Sequence, residues 1–225
     1  MKRPVVDYRE FRLSRIHEAR FSHLKLLLGW VVYFALYFLT ENLIPAEKCF
    51  SVHSPIDDQI PFCEWFLIPY FGWYLLIVFS LGYFLLYDID NFKRLQTYII
   101  ITQAVAMGCY ILFPTRQDLR PEVLPRDNLL TRGVAMLYAF DTNTGVCPSL
   151  HVAYSLGIAS VWVKIKESAV WWRGFVVVAV VLICLSTMFI KQHSAVDFFA
   201  ALPVGLLAEY LVYWKDYWRN RLRKV

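Results

Sequence analysis

Residues 175–190 read FVVVAVVLICLSTMFI, a run without a charged side chain. Extended back to residue 170, it reaches the length of about 20 mostly apolar residues that a helix needs to cross a hydrocarbon layer. Residues 26–39 (LLLGWVVYFALYFL) and 74–86 (YLLIVFSLGYFLL) repeat the pattern. With two weaker segments and a more polar one at 149–163 (SLHVAYSLGIASVWV), six stretches approach spanning length: 25–44, 66–87, 95–114, 149–166, 170–190 and 194–214. The expected fold is all-α, a polytopic bundle of six transmembrane helices. The polar fourth helix is expected to be enclosed by the others, because protein tolerates polar groups that lipid does not.

The composition agrees. Of 225 residues, 58% are hydrophobic and only 18% charged, too few charges to cover a soluble domain of this size. No linker divides the chain, so one six-helix membrane domain is expected over 25–214, preceded by a basic segment at 1–24 and followed by a basic tail at 215–225. The formal charge of +5 does not point to nucleic acid, because the basic residues flank apolar runs, where lipid headgroups are the anionic neighbours. The first apolar run is too long for a signal peptide and lacks a small-x-small cleavage pattern. Within the first segment, an interfacial helix and a plain basic flank fit residues 3–22 equally.

With an even number of spans both termini share a side. Most of the 23 basic residues fall there, and only Lys48, Arg116, Arg120, Arg126, Arg132 and Lys191 fall opposite. The positive-inside bias then makes the termini cytoplasmic. Cys109 and Cys184 lie in apolar runs as packing residues. Cys49 and Cys63 bracket a polar segment of the first outward loop, where a disulfide between them is one reading and Cys147 a competitor for it.

Three polar clusters fall on the outward side: FPTRQDLRP (113–121), CPSLH (147–151) and STMFIKQHSAVD (186–197). Arg120 offers a planar fork of donors suited to phosphate oxygens. Ser149, after Pro148, stands at a helix N-terminus whose amides and dipole favour an anion. His193 and Asp197 are four apart and share a helical face, so the carboxylate can fix one ring nitrogen and leave the other free to attack an electrophile. His151 is placed to protonate a leaving oxygen. The same residues also fit a polar brace between helices or, less well, haem ligation; two histidines and one carboxylate are a poor zinc set.

At these positions the chain resembles the type 2 phosphatidic acid phosphatase superfamily. Pro148, Ser149, Leu150 and His151 match its second motif, with Leu150 where glycine is commonest. Ser186, His193, Asp197 and Ala201 match its third, and Arg120 with Pro121 represents its first. The usual lysine of the first motif would fall on Phe113 and the usual arginine of the third on Thr187; Arg116 and Lys191 are the candidates to replace those charges. The resemblance implies His193 as nucleophile, Asp197 as its orienting partner, His151 as general acid and then base, and Arg120 with Ser149 as phosphate clamp, without metal or other cofactor. It implies a lipid phosphatase acting on the outer leaflet of the plasma membrane, with the bilayer and a lipid phosphate as partners and no obligate protein partner. A headgroup phosphotransferase like the inositol phosphorylceramide synthases is the alternative that Leu150 and the altered charges suggest. A membrane module that binds anionic lipid without reaction is a third.

Overall fold

The computed structural model describes residues 4–214 and 217. The described residues are mostly helical: α1 (Leu28–Leu43), α2 (Pro55–Gln59), α3 (Leu67–Tyr87), α4 (Ile89–Leu112), α5 (Leu129–Phe140), α6 (Leu150–Lys164), α7 (Val170–Phe189) and α8 (Ala195–Tyr213). Five helical stretches are long and apolar enough to cross a membrane: Ser22–Leu43, Glu64–Tyr87, Ile89–Leu112, Val170–Phe189 and Ala195–Tyr213. The protein is an all-α, membrane-type bundle. Helix α6 is shorter, with 15 residues, or about 22 Å at the usual rise. It packs against α3, α4, α7 and α8. Leu150, Val152, Ala153, Tyr154, Ile158, Val161 and Trp162 are buried, so the most polar of the expected helices is the central one.

Tyr98 of α4 sets how closely α6 and α8 approach. A Cβ on Gly157 of α6 would lie 2.5 Å from the Tyr98 ring, and one on Gly205 of α8 would lie 2.9 Å from the Tyr98 hydroxyl. A side chain at either position would require Tyr98 to move, and at Gly205 the Leu156 side chain, also 2.9 Å away, as well.

Two helical segments were not apparent from hydropathy. Helix α4 begins at Ile89 rather than near 95, because Asp88 caps it by accepting from Asn91 N at 3.1 Å, and its first turn (IDNFKR) is polar. Helix α5 lies outside the expected spans. Asn128 and Thr131 form its capping box, Thr131, Val134 and Leu137 face inward, and Leu129, Met136 and Phe140 are exposed. Residues 8–27 form short 3₁₀ turns rather than an α-helix. There Tyr8 bonds His23 at 2.8 Å and donates to Leu85 O at 2.8 Å, tying the segment to the far end of α3. Of the expected tail at 215–225, all but Tyr217 lies outside the described residues.

At the opposite end of the bundle the connecting loops are stitched together. Strands β1 (Phe50–Ser51) and β2 (Thr115–Arg116) pair in parallel, and Thr144 bridges to Arg116 on the other side. Of the readings open for Cys49 and Cys63, the structure has them unbonded, and both thiols are free. Cys49 belongs to the loop that pairs with residues 114–116, and its thiol donates to Pro45 O at 3.7 Å. Cys63 instead donates its backbone N–H to Phe189 O at 3.0 Å, at the end of α7. Different partners fix the two positions.

Candidate active site

Loops 113–121, 141–149 and 189–195 converge at this end. Ser149 N donates to Asp197 O at 3.1 Å, Tyr110 Oη donates to Pro148 O at 2.7 Å, and Gln117 N donates to Asn143 O at 2.9 Å. These bonds join the starts of α6 and α8 to the loop after α4.

Ser194 caps α8, accepting from Val196 N at 3.1 Å, while Asp197 at the third helical position accepts from Ser194 N at 2.9 Å. The same Asp197 oxygen, Oδ2, lies 3.2 Å from His193 Nδ1. His193 is anchored from behind, since its N–H donates to Thr187 O at 2.9 Å. Asp197 is fully buried and His193 is 8% exposed. A carboxylate at Nδ1 favours the tautomer with its proton there and presents Nε2 as the basic nitrogen.

His151 lies in the first turn of α6. Its ring stacks on Tyr70 with centroids 4.6 Å apart, lies 4.2 Å from the Trp73 centroid, and meets His193 edge-on at 5.6 Å. Several buried polar atoms in this region have no hydrogen-bond partner within the protein: His151 Nε2, Ser149 Oγ, Asp197 Oδ1 and Arg120 Nε, together with Tyr70 Oη and Trp73 Nε1 on the two rings packed against His151. Buried polar groups are nearly always satisfied, so a cluster of such atoms on residues around one histidine pair marks a place suited to a polar ligand. No protein-family model, curated protein or solved structure matches this chain.

Arg120 is held above the Tyr138 ring at 4.6 Å and donates to Tyr138 O at 3.1 Å, Thr142 O at 2.8 Å and Gln192 Oε1 at 2.7 Å. Gln192 in turn donates to Asp141 Oδ2 at 3.0 Å. Arg120 is thus linked through Gln192 to the residue immediately before His193. Desolvation raises the pKa of Asp141, opposed by the nearby charges of His193 and Arg120.

The structure brings Arg120, Ser149, His151, His193 and Asp197 to one region, and turns the charges of Arg116 and Lys191 to other partners. Arg116 pairs with Asp118 at 3.2 Å and donates to Ala46 O at 3.2 Å. Lys191 Nζ donates to Asp57 O at 2.9 Å and Ile60 O at 2.6 Å. Desolvation lowers the pKa of Lys191, opposed by Asp57 and Asp58. Cys147 donates its N–H to Thr115 Oγ1 at 3.1 Å, and burial with Asp197 nearby pushes its thiol up to about 12. Among the described residues no group of three His, Cys, Asp or Glu side chains is arranged to hold a metal ion.

Sequence reasoning missed Asp57, Tyr70, Trp73, Asp141 and Gln192. Gln192 had one usable signal, its place beside His193. Asp57 lies in a capping box, SPID, which marks a short helix but not what that helix touches.

Proposed function

We propose that this chain is a metal-independent lipid phosphate phosphatase of the plasma membrane, working through a phosphohistidine. In this reading α6 completes a sixth crossing, both termini are cytoplasmic, and the histidine pair opens to the outer leaflet. The observation that carries it is the His193–Asp197 hydrogen bond with His151 edge-on to the same imidazole. The basic bias toward the terminal side supports the orientation.

His193 Nε2 attacks phosphorus and forms an N–P bond as the P–O bond to the lipid breaks. His151 gives its proton to the departing oxygen. Water then attacks the phosphohistidine, His151 takes the water's proton, and the N–P bond breaks to release phosphate. Asp197 holds the tautomer and stabilises the positive charge that develops on His193. Ser149 Oγ, the α6 N-terminus and the free edge of Arg120 face the phosphoryl oxygens as prepositioned donors.

The test is rapid mixing of the purified protein with ³²P-labelled lipid phosphates, an alkaline quench, and mapping of acid-labile label. Label on His193 with phosphate release to water is expected. Transfer of the label to an added lipid or polyol alcohol in preference to water would make the protein a transferase. Phosphate release without labelled histidine would overturn the mechanism, and binding without turnover would leave a lipid-binding module.

A further inference from the structure

The segment that carries His193 is gripped along its length by the first loop. Cys63 N holds Phe189 O at 3.0 Å, and Lys191 Nζ holds the carbonyls of Ile60 and Asp57 at 2.6 and 2.9 Å. Beyond His193, the Asp57 side chain takes over. Its Oδ2 accepts from Ser194 Oγ at 2.6 Å and its Oδ1 from Ala195 N at 2.7 Å. Oδ2 also accepts from Ser54 N at 2.7 Å within its own capping box. Asp57 is 2% exposed and lies 137 residues from Ser194 along the chain.

All three partners of this carboxylate are donors, so the position requires a group that only accepts. The bond from Ser194 Oγ also fixes the direction of that hydroxyl, leaving its lone pairs for Val196 N. Ser194 N and His193 Nδ1 meet on Asp197 Oδ2 one turn later. A shift of the cap would therefore move the imidazole relative to its carboxylate.

We propose that Asp57 is a positioning residue for His193, acting from the first loop through the α8 cap on the His193–Asp197 pair. This rests on the reading of His193 as nucleophile. Asp57→Asn keeps the shape but sets an amide N–H₂ against a donor N–H in either orientation, at Ser54 or at Ala195.

Two measurements test it. In Asp57→Asn, phosphohistidine formation should fall about 10- to 100-fold with KM changed less than about twofold, the pattern of a lost transition-state contribution. In an Asp197→Asn background the same change should cost no more than about threefold, since residues acting through one pair are not additive. Independently of turnover, the downfield proton signal of His193 Nδ1–H should move upfield or broaden away in Asp57→Asn. Ser194→Ala removes one link of the same chain and should shift that signal in the same direction, which covers failure of Asp57→Asn to fold. An unchanged imidazole signal, or equal losses in both backgrounds, overturns the proposal. If the unsubstituted protein forms no phosphohistidine the proposed function falls, while the imidazole signal still decides the role of Asp57.

Discussion

The His151 ring meets the His193 ring edge-on, with centroids 5.6 Å apart and planes inclined at 63°. Only His193 is bonded to a carboxylate, so the two imidazoles are chemically unequal. His193→Ala should form no phosphoenzyme. His151→Ala should lose about 10²–10⁴ in turnover of lipid substrates, whose alkoxide leaving groups need a proton. It should recover disproportionately with para-nitrophenyl phosphate, giving a burst of phenolate and then a slow steady state, because water still needs a base. Stopped-flow absorbance and rapid quench read both phases, and normal lipid turnover by His151→Ala would end this division of roles.

Asp141 gives a stability prediction with a definite sign. Its folded pKa is raised above the ordinary 3.8, by desolvation against the pull of His193 and Arg120. The folded protein therefore binds that proton more tightly than the unfolded chain, and stability falls as pH rises from the ordinary value through the raised one. Asp141→Asn removes this term. Thermal scans in detergent should show the variant gaining on the unsubstituted protein across that window, and a gap that widens toward acid instead would contradict the assignment.

Lys191 has φ of 54°, the left-handed region that L side chains adopt at a cost. Lys191→Ala should lose the bonds to Asp57 O and Ile60 O, roughly 1–3 kcal/mol for a charge-assisted contact that is partly exposed. Lys191→Gly loses the same bonds but relaxes the backbone by about 1 kcal/mol. The melting order should be unsubstituted, then Gly, then Ala. Alanine melting above glycine would show that the backbone strain is not felt.

The free thiols test topology. An impermeant maleimide should label Cys63 in intact cells without prior reduction. Cys49, buried and with its thiol pKa raised by desolvation, should react slowly. Labelling that requires a reductant would restore the disulfide, and labelling only in opened cells would reverse the proposed orientation.

What the sequence made visible follows from what each segment had to do alone. Helices α1, α3, α7 and α8 are legible because lipid demands uninterrupted apolar residues. The first turn of α4 and all of α5 answer to caps at Asp88 and Asn128, signals that hydropathy passes over. The His193–Asp197 pair could be read from its spacing, although His193 stands just before the Ser194 cap and it is the capping box, rather than a turn of helix, that brings the two together. Charge alone did not reveal direction: Arg116 and Lys191 sit near the right place but reach toward backbone carbonyls. Asp57 and Asp141 carry no local signal that sets them apart from other loop carboxylates, and only tertiary contacts distinguish them.

Tyr98 gives the candidate site a remote determinant of its size. Gly157 is six residues beyond His151 on α6, about 9 Å along the axis, and Gly205 is eight beyond Asp197 on α8, about 12 Å. Because both helices rest against one phenol ring, that ring acts as a spacer for the helix starts that carry His151 and Asp197. The gap across which a proton and a phosphoryl group would be exchanged is thus gauged deep in the bundle, by an aromatic side chain that touches neither histidine.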